Sequence, residues 1–179
     1  MTEVATTYGQ ALYELARDEN LTQDILGQLT VLRDVFTRES DFVTLLCTPS
    51  IPKQERTQVL DDALRASVHP YVLNFLKILT EKGYVKHFSD CCKFFRQQYN
   101  KDNGILEVTA VTKLPLSQEL QIKLTDKISA ITGKTIDLVN KVDPEVLGGV
   151  RLDLDGRSVD GTVRARLDDI RSILKNTVL

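Results

Sequence analysis

The sequence predicts an α+β fold in two parts: an N-terminal six-helix bundle over residues 1–104, then a small α+β C-terminal domain with a β-hairpin over residues 105–179. Three observations predict it. Apolar residues recur at three- and four-residue spacing through the first hundred positions, the period of helices with one buried face. From Ile105 to Val111 the chain turns rich in β-branched residues, which favour strands. Finally, Val150, Leu152 and Leu154 alternate with Arg151, Asp153 and Asp155, so a half-buried strand runs into Asp155-Gly156, a pair suited to a tight hairpin turn.

Taken in order, Val4, Tyr8, Ala11, Leu12 and Leu15 make the apolar stripe of a first helix, and Ile25, Leu29, Leu32 and Phe36 that of a second. Asp41 to Leu46 is a short third. Pro52 opens a fourth at the first-turn position, where its missing N–H costs nothing, with Val59, Leu60, Ala63 and Leu64 as its apolar residues. Pro70 opens a fifth that runs to Glu81 and stops at Gly83. The sixth carries Val85, Phe88, Cys91, Cys92, Phe95 and Tyr99, and a polar break follows at Lys101-Asp102-Asn103-Gly104. Beyond the strand at Ile105, Ser117 can cap a helix with Leu120, Leu124, Ile128 and Ile131 on its apolar face, ending at Gly133. Thr135 to Val142 is a second strand. The hairpin returns over Arg157 to Asp160, and Val163, Leu167, Ile170 and Leu174 mark a last helix. Short connections throughout suit an antiparallel bundle.

Composition narrows the function classes. Hydrophobic residues are 42% of the 179, enough for a core. Net charge is -2, with 12 basic and 14 acidic groups before residue 105 and 11 of each after it, so neither part is the basic surface that nucleic acid or anionic lipid attracts. No apolar run approaches the ~20 residues of a membrane span, and Met1-Thr2-Glu3 does not open a secretory signal. A place at a membrane would therefore be held by a protein partner. Cys47, Cys91 and Cys92 are odd in number, and adjacent helical cysteines point about 100° apart, so they read as reduced, partly buried thiols.

Motifs that carry chemistry are scarce. The two histidines, His69 and His87, form no metal-binding spacing and read as surface or helix-capping groups. There is no GxxxxGK[ST] loop and no GxSxG, and Gly148-Gly149 precedes a strand rather than a helix, so no phosphate cradle is predicted. Asp153, Asp155 and Asp160 gather near the hairpin but read as a solvent-face, a turn and a helix-start residue. No catalytic residue, metal ligand or cofactor is expected.

Two helices rise above this background. On the fifth, Val72, Leu73, Phe75, Leu76, Ile78 and Leu79 cover an arc of about 220°, where ~100° suffices for a surface helix. On the first, Ala5, Tyr8, Ala11, Leu12, Tyr13, Leu15 and Ala16 spread over roughly 200°, with small residues and Gly9 among them. Such arcs mean either helices packed on several sides or an apolar groove open to a partner helix.

Several segments together carry a family resemblance. These are Tyr8-Gly9-Gln10-Ala11-Leu12-Tyr13-Glu14-Leu15-Ala16; Asn74-Phe75-Leu76 through Leu79 with Glu81-Lys82-Gly83; Thr109-Ala110-Val111 with Leu114-Pro115-Leu116-Ser117; Val142-Asp143-Pro144; and the stretch from Leu147 to Leu167. In this order, over nearly the whole chain, they resemble the δ subunit of F-type ATP synthases, the counterpart of the mitochondrial oligomycin-sensitivity-conferring protein. Departures are Tyr84, where the family often has Arg, and Thr162, where Ser is more usual. The resemblance implies a non-catalytic stator that links the catalytic head to the peripheral stalk so that torque is coupled to ion flow. It implies that the groove between the first and fifth helices receives the N-terminal helix of an α subunit, and that the C-terminal domain holds the b subunits. The wide apolar arc of the fifth helix and the small residues of the first, reinforced by the resemblance, make Ala5, Tyr8, Leu12, Phe75, Ile78 and Leu79 the expected wall residues. It also implies a peripheral position at the cytoplasmic face of the bacterial cell membrane. Ile78, between polar Asn74 and Glu81, is the wall residue best placed for exposure. A free helix-binding regulatory adaptor, or a small enzyme built on the α+β domain, are the alternative readings.

Overall fold

A computed structural model describes residues 2–154 and 157–161. The chain divides into two compact units, Met1–Tyr99 and Asn100–Leu179. The first unit is helical: α1 (Glu3–Asp18), α2 (Thr22–Arg38), α3 (Ser40–Cys47), α4 (Lys53–Leu64), α5 (Pro70–Lys82), a 3-10 turn (Val85–His87) and α6 (Phe88–Asp102), whose last three residues pass into the second unit. Its core gathers Leu12, Ile25, Leu29, Leu46, Leu60, Leu76, Leu79 and Phe95 with their neighbours. Local chemistry sets the ends of α5. His69 is its N-cap, Nδ1 accepting from Tyr71 N–H at 3.3 Å, and Pro70 is its first residue. Gly83 ends it at φ 75°, a left-handed backbone that a Cβ would strain.

Two expectations for this unit need correction. Pro52 is the N-cap of α4, one residue outside the helix it was expected to open. Ala63 is exposed, and the inner face of α4 is completed instead by Arg56, only 6% exposed. Its guanidinium donates to the Leu46 carbonyl at 2.7 Å and the Ile51 carbonyl at 3.1 Å, which closes the α3–α4 connection. Thr80, polar in sequence, also points inward, its hydroxyl donating to the Leu76 carbonyl at 2.8 Å. Both polar groups are tolerated because a backbone acceptor meets each.

The second unit contains β1 (Ile105–Thr112), α7 (Gln118–Thr132), β2 (Thr135–Val142), β3 (Val150–Leu154) and β4 (Arg157–Asp160). The four strands form one mixed sheet in the order β2-β1-β3-β4. β1 pairs parallel with β2, Ile105 opposite Thr135, and antiparallel with β3, Ala110 opposite Leu152. β3 and β4 pair antiparallel, Leu154 opposite Arg157. Ser117 caps α7, accepting from Leu120 N–H. Asn140 of β2 ties down the entry to α7: its side-chain amide donates to the Ala110 carbonyl at 2.8 Å and its oxygen accepts from Leu116 N–H at 2.8 Å. On α7 itself only Ile128 is buried, whereas Leu120 and Ile131 of the expected apolar face are exposed. Asp160 belongs to strand β4 opposite Arg151, and the helix it was expected to start lies outside the described residues; Asp153 accepts from the Ser158 hydroxyl at 2.7 Å. The Asp155-Gly156 turn and the expected last helix from Val163 to Leu174 lie outside the described residues.

Candidate helix-docking face

Helix α1 carries two apolar stripes. Ala5, Gly9, Leu12, Tyr13 and Ala16 face the core. Val4, Tyr8, Ala11 and Leu15 form a second row, about 110° around the helix from the first. Val4 and Tyr8 are half-buried, Ala11 is exposed and Leu15 is 40% exposed. Of the expected apolar stripe of this helix, Val4, Tyr8, Ala11, Leu12 and Leu15, Leu12 alone is fully buried; Tyr8 packs against the core from its edge, and Ala11 and Leu15 are exposed. The physical reason lies in Gly9. A Cβ placed there would sit 3.1 Å from Phe94 Cδ1 and 3.2 Å from the Cys91 carbonyl oxygen, so the bare backbone is what lets α1 lie close against α6. Tyr13 completes that contact, meeting Phe95 edge-on with ring centroids 5.1 Å apart.

The six residues expected to wall a groove divide in the structure. Ala5, Leu12, Phe75 and Leu79 are core residues, closed off by their neighbours, and offer no free surface. Tyr8 keeps part of its ring at the surface and meets Tyr84 edge-on at 5.8 Å, which joins α1 to the chain leaving α5. Ile78 is 44% exposed, on the outward side of α5 with Asn74 and Glu81. Lys77 beside it is engaged by Asp61 of α4 at 2.6 Å. The apolar residues with free surface on these two helices are therefore Val4, Tyr8, Ala11 and Leu15 of α1 and Ile78 of α5, with Tyr84 against Tyr8. Sequence reasoning named Tyr8 and Ile78. The i, i+4, i+7, i+11 spacing of the α1 row was the signal for the rest.

Burial pushes the Cys91 thiol up to about 11, with the neighbouring Asp90 charge adding to the rise. Burial pushes Cys92 to about 12, the adjacent Cys91 adding to it. Cys92 also points its sulfur at the Leu29 carbonyl, 3.8 Å away. Such thiols stay protonated and unreactive near neutrality. Among the described residues no group of three or more His, Cys, Asp or Glu side chains could hold a metal ion, and no helix is long and apolar enough to cross a membrane.

A helical bundle that keeps a second apolar row outside its core suits a protein that works by holding another chain, an assembly subunit. Known proteins agree. The model of the ATP synthase delta (OSCP) subunit family matches residues 4–174, so the chain belongs to that family. It is 30% identical over 176 residues to ATP synthase subunit delta of Alkaliphilus metalliredigens (strain QYMF), covering 98% of both chains. It is 29% identical over 180 residues to that of Clostridioides difficile (strain 630), covering 98% of this chain and 97% of the relative. Its fold matches a chain in the cryo-EM structure of the Toxoplasma gondii mitochondrial ATP synthase hexamer with a TM-score of 0.77 at 20% identity, over 97% of this chain and 98% of that one. As a member of this family the chain is a stator component, part of the peripheral stalk of an F-type ATP synthase.

Proposed function

We propose that the face formed by Val4, Tyr8, Ala11 and Leu15 with Ile78 receives the N-terminal helix of an α subunit, and that the α+β unit holds the b subunits of the stalk. The subunit then acts mechanically and has no catalytic step of its own: it resists the torque that the turning shaft exerts on the head. It sits at the cytoplasmic face of a bacterial cell membrane, held there by its protein partners. The observation that carries the reading is the second apolar row of α1. An apolar side chain left in water costs free energy that a helix laid along the row would recover, at roughly 25 cal/mol per Å² covered, and amphipathic helices dock on such faces through i, i+4, i+7 anchors.

Site-specific photo-crosslinking in the assembled enzyme tests it. A benzophenone amino acid at Ala11 should attach to the N-terminal segment of an α subunit. The same group at Val31, which is exposed on α2, should not. Attachment of both positions to the same segment, or of Ala11 to another subunit alone, would overturn the assignment. Calorimetry of the isolated chain with Mg-ATP should show no binding heat in the micromolar range.

A further inference from the structure

The apolar row of α1 has two unlike borders. One adjoins the core. The other, about 80° further toward solvent, carries Glu3, Thr7, Glu14 and Asp18, all exposed. The helix has four charged residues, and three of them are these carboxylates. The fourth, Arg17, lies 3.7 Å from Asp18 with both side chains exposed, a pairing that solvent weakens to little. Glu14 accepts a 2.8 Å hydrogen bond from the Gln10 amide, which orients the carboxylate without neutralising it. Two of the three carboxylates, with Glu19 at the C-cap, stand at the C-terminal end of α1, where the helix dipole adds negative potential. The α5 side of the face is balanced, Glu81 beside Lys82, with Lys77 already held by Asp61.

Apolar burial alone does not set direction, because a row of four apolar side chains accepts a helix either way round. From the charge pattern we infer that the occupant is an amphipathic helix with Lys or Arg along one flank, laid so that its basic flank lies over Glu14 and Asp18. This rests on the reading that the face receives a helix. The carboxylates then act as an orienting rim that steers encounter and rejects acidic helices, as complementary charge does at protein interfaces.

Two synthetic 20-residue peptides with the same apolar face, one with a lysine flank and one with a glutamate flank, test the inference by fluorescence anisotropy with the full chain. The lysine peptide should bind at least about tenfold tighter at low salt. The ratio should fall toward one at ~0.5 M salt, where screening acts within ~4 Å. In the Glu14→Gln, Asp18→Asn double variant the preference should vanish at low salt too. Equal binding of the two peptides, or a preference that survives in the double variant, would overturn the charge assignment while leaving the docking face intact. Binding that Leu15→Asp fails to weaken for either peptide would instead remove the docking face itself, and the inference with it.

Discussion

Replacing Ile78 by Asp separates docking from folding. Fully burying an isoleucine side chain is worth roughly 1.5–3 kcal/mol. With 44% of Ile78 still open to solvent, a little over half of that is realised in the free bundle, so the substitution should cost about 1–2 kcal/mol of stability, read as a shift in the urea midpoint with an unchanged slope. The remaining apolar surface, covered when a helix docks, contributes about 1 kcal/mol. Burying a carboxylate there without a partner adds at least ~1 kcal/mol more. Affinity for an α-subunit N-terminal peptide should therefore fall at least about tenfold, since 1.4 kcal/mol is a factor of ten. Anisotropy titration of the labelled peptide measures it. A variant that fails to fold would show that Ile78 is structural and the α5 wall misplaced. A variant with wild-type stability and unchanged affinity would show that docking uses another face.

Three further outcomes are expected. Gly9→Ala should cost about 1–3 kcal/mol, because the new methyl meets Phe94 and the Cys91 carbonyl oxygen at 3.1–3.2 Å; an unchanged urea midpoint would mean that α1 does not lie so close to α6. Cys91 and Cys92 should resist maleimide at neutral pH in the native protein and react once it is unfolded. With folded-state values raised to about 11 and about 12 against an ordinary 9.0, the folded state holds protons that the unfolded state releases, so the stability they contribute is fully present below pH ~9 and is lost as pH rises through that window; a Cys91→Ser, Cys92→Ser variant should show a flatter alkaline limb in urea unfolding. The fragment 1–104 should melt cooperatively by circular dichroism on its own, since the helices before Gly104 carry their own core; an aggregated or non-cooperative product would refute an independent bundle.

Local chemistry is legible in the residues themselves. Gly83 and Ser117 announce a helix end and a helix start because capping uses neighbouring backbone groups alone. Val150, Leu152 and Leu154 do lie in a strand, but all five residues of β3 are partly buried, so the expected contrast between a buried and a solvent face is not seen there. The polar flanks of Ile78 were enough to single it out, since Asn74 and Glu81 lie one turn either side of it and report which way that part of α5 faces. Periodicity could show that α1 has apolar residues over a wide arc, but not which stripe is core. That choice was made by a distant partner: α6 approaches where Gly9 offers no side chain, so Ala5, Leu12 and Ala16 turn in, Tyr8 stays at the core's edge, and Ala11 and Leu15 are left outside. The burial of Arg56 was hidden likewise, because the carbonyls that satisfy its charge belong to Leu46 and Ile51, brought within reach only when α3 and α4 fold together. The parallel pairing of β1 with β2 joins segments thirty residues apart, one register step at a time, from Ile105 opposite Thr135 onward. The sequence by itself determined most of the described elements, several of their caps and the family, because these rest on near neighbours and on ordered motifs. Only the tertiary structure decided which side of each helix meets a partner, because packing depends on the shape of surfaces far apart in the chain.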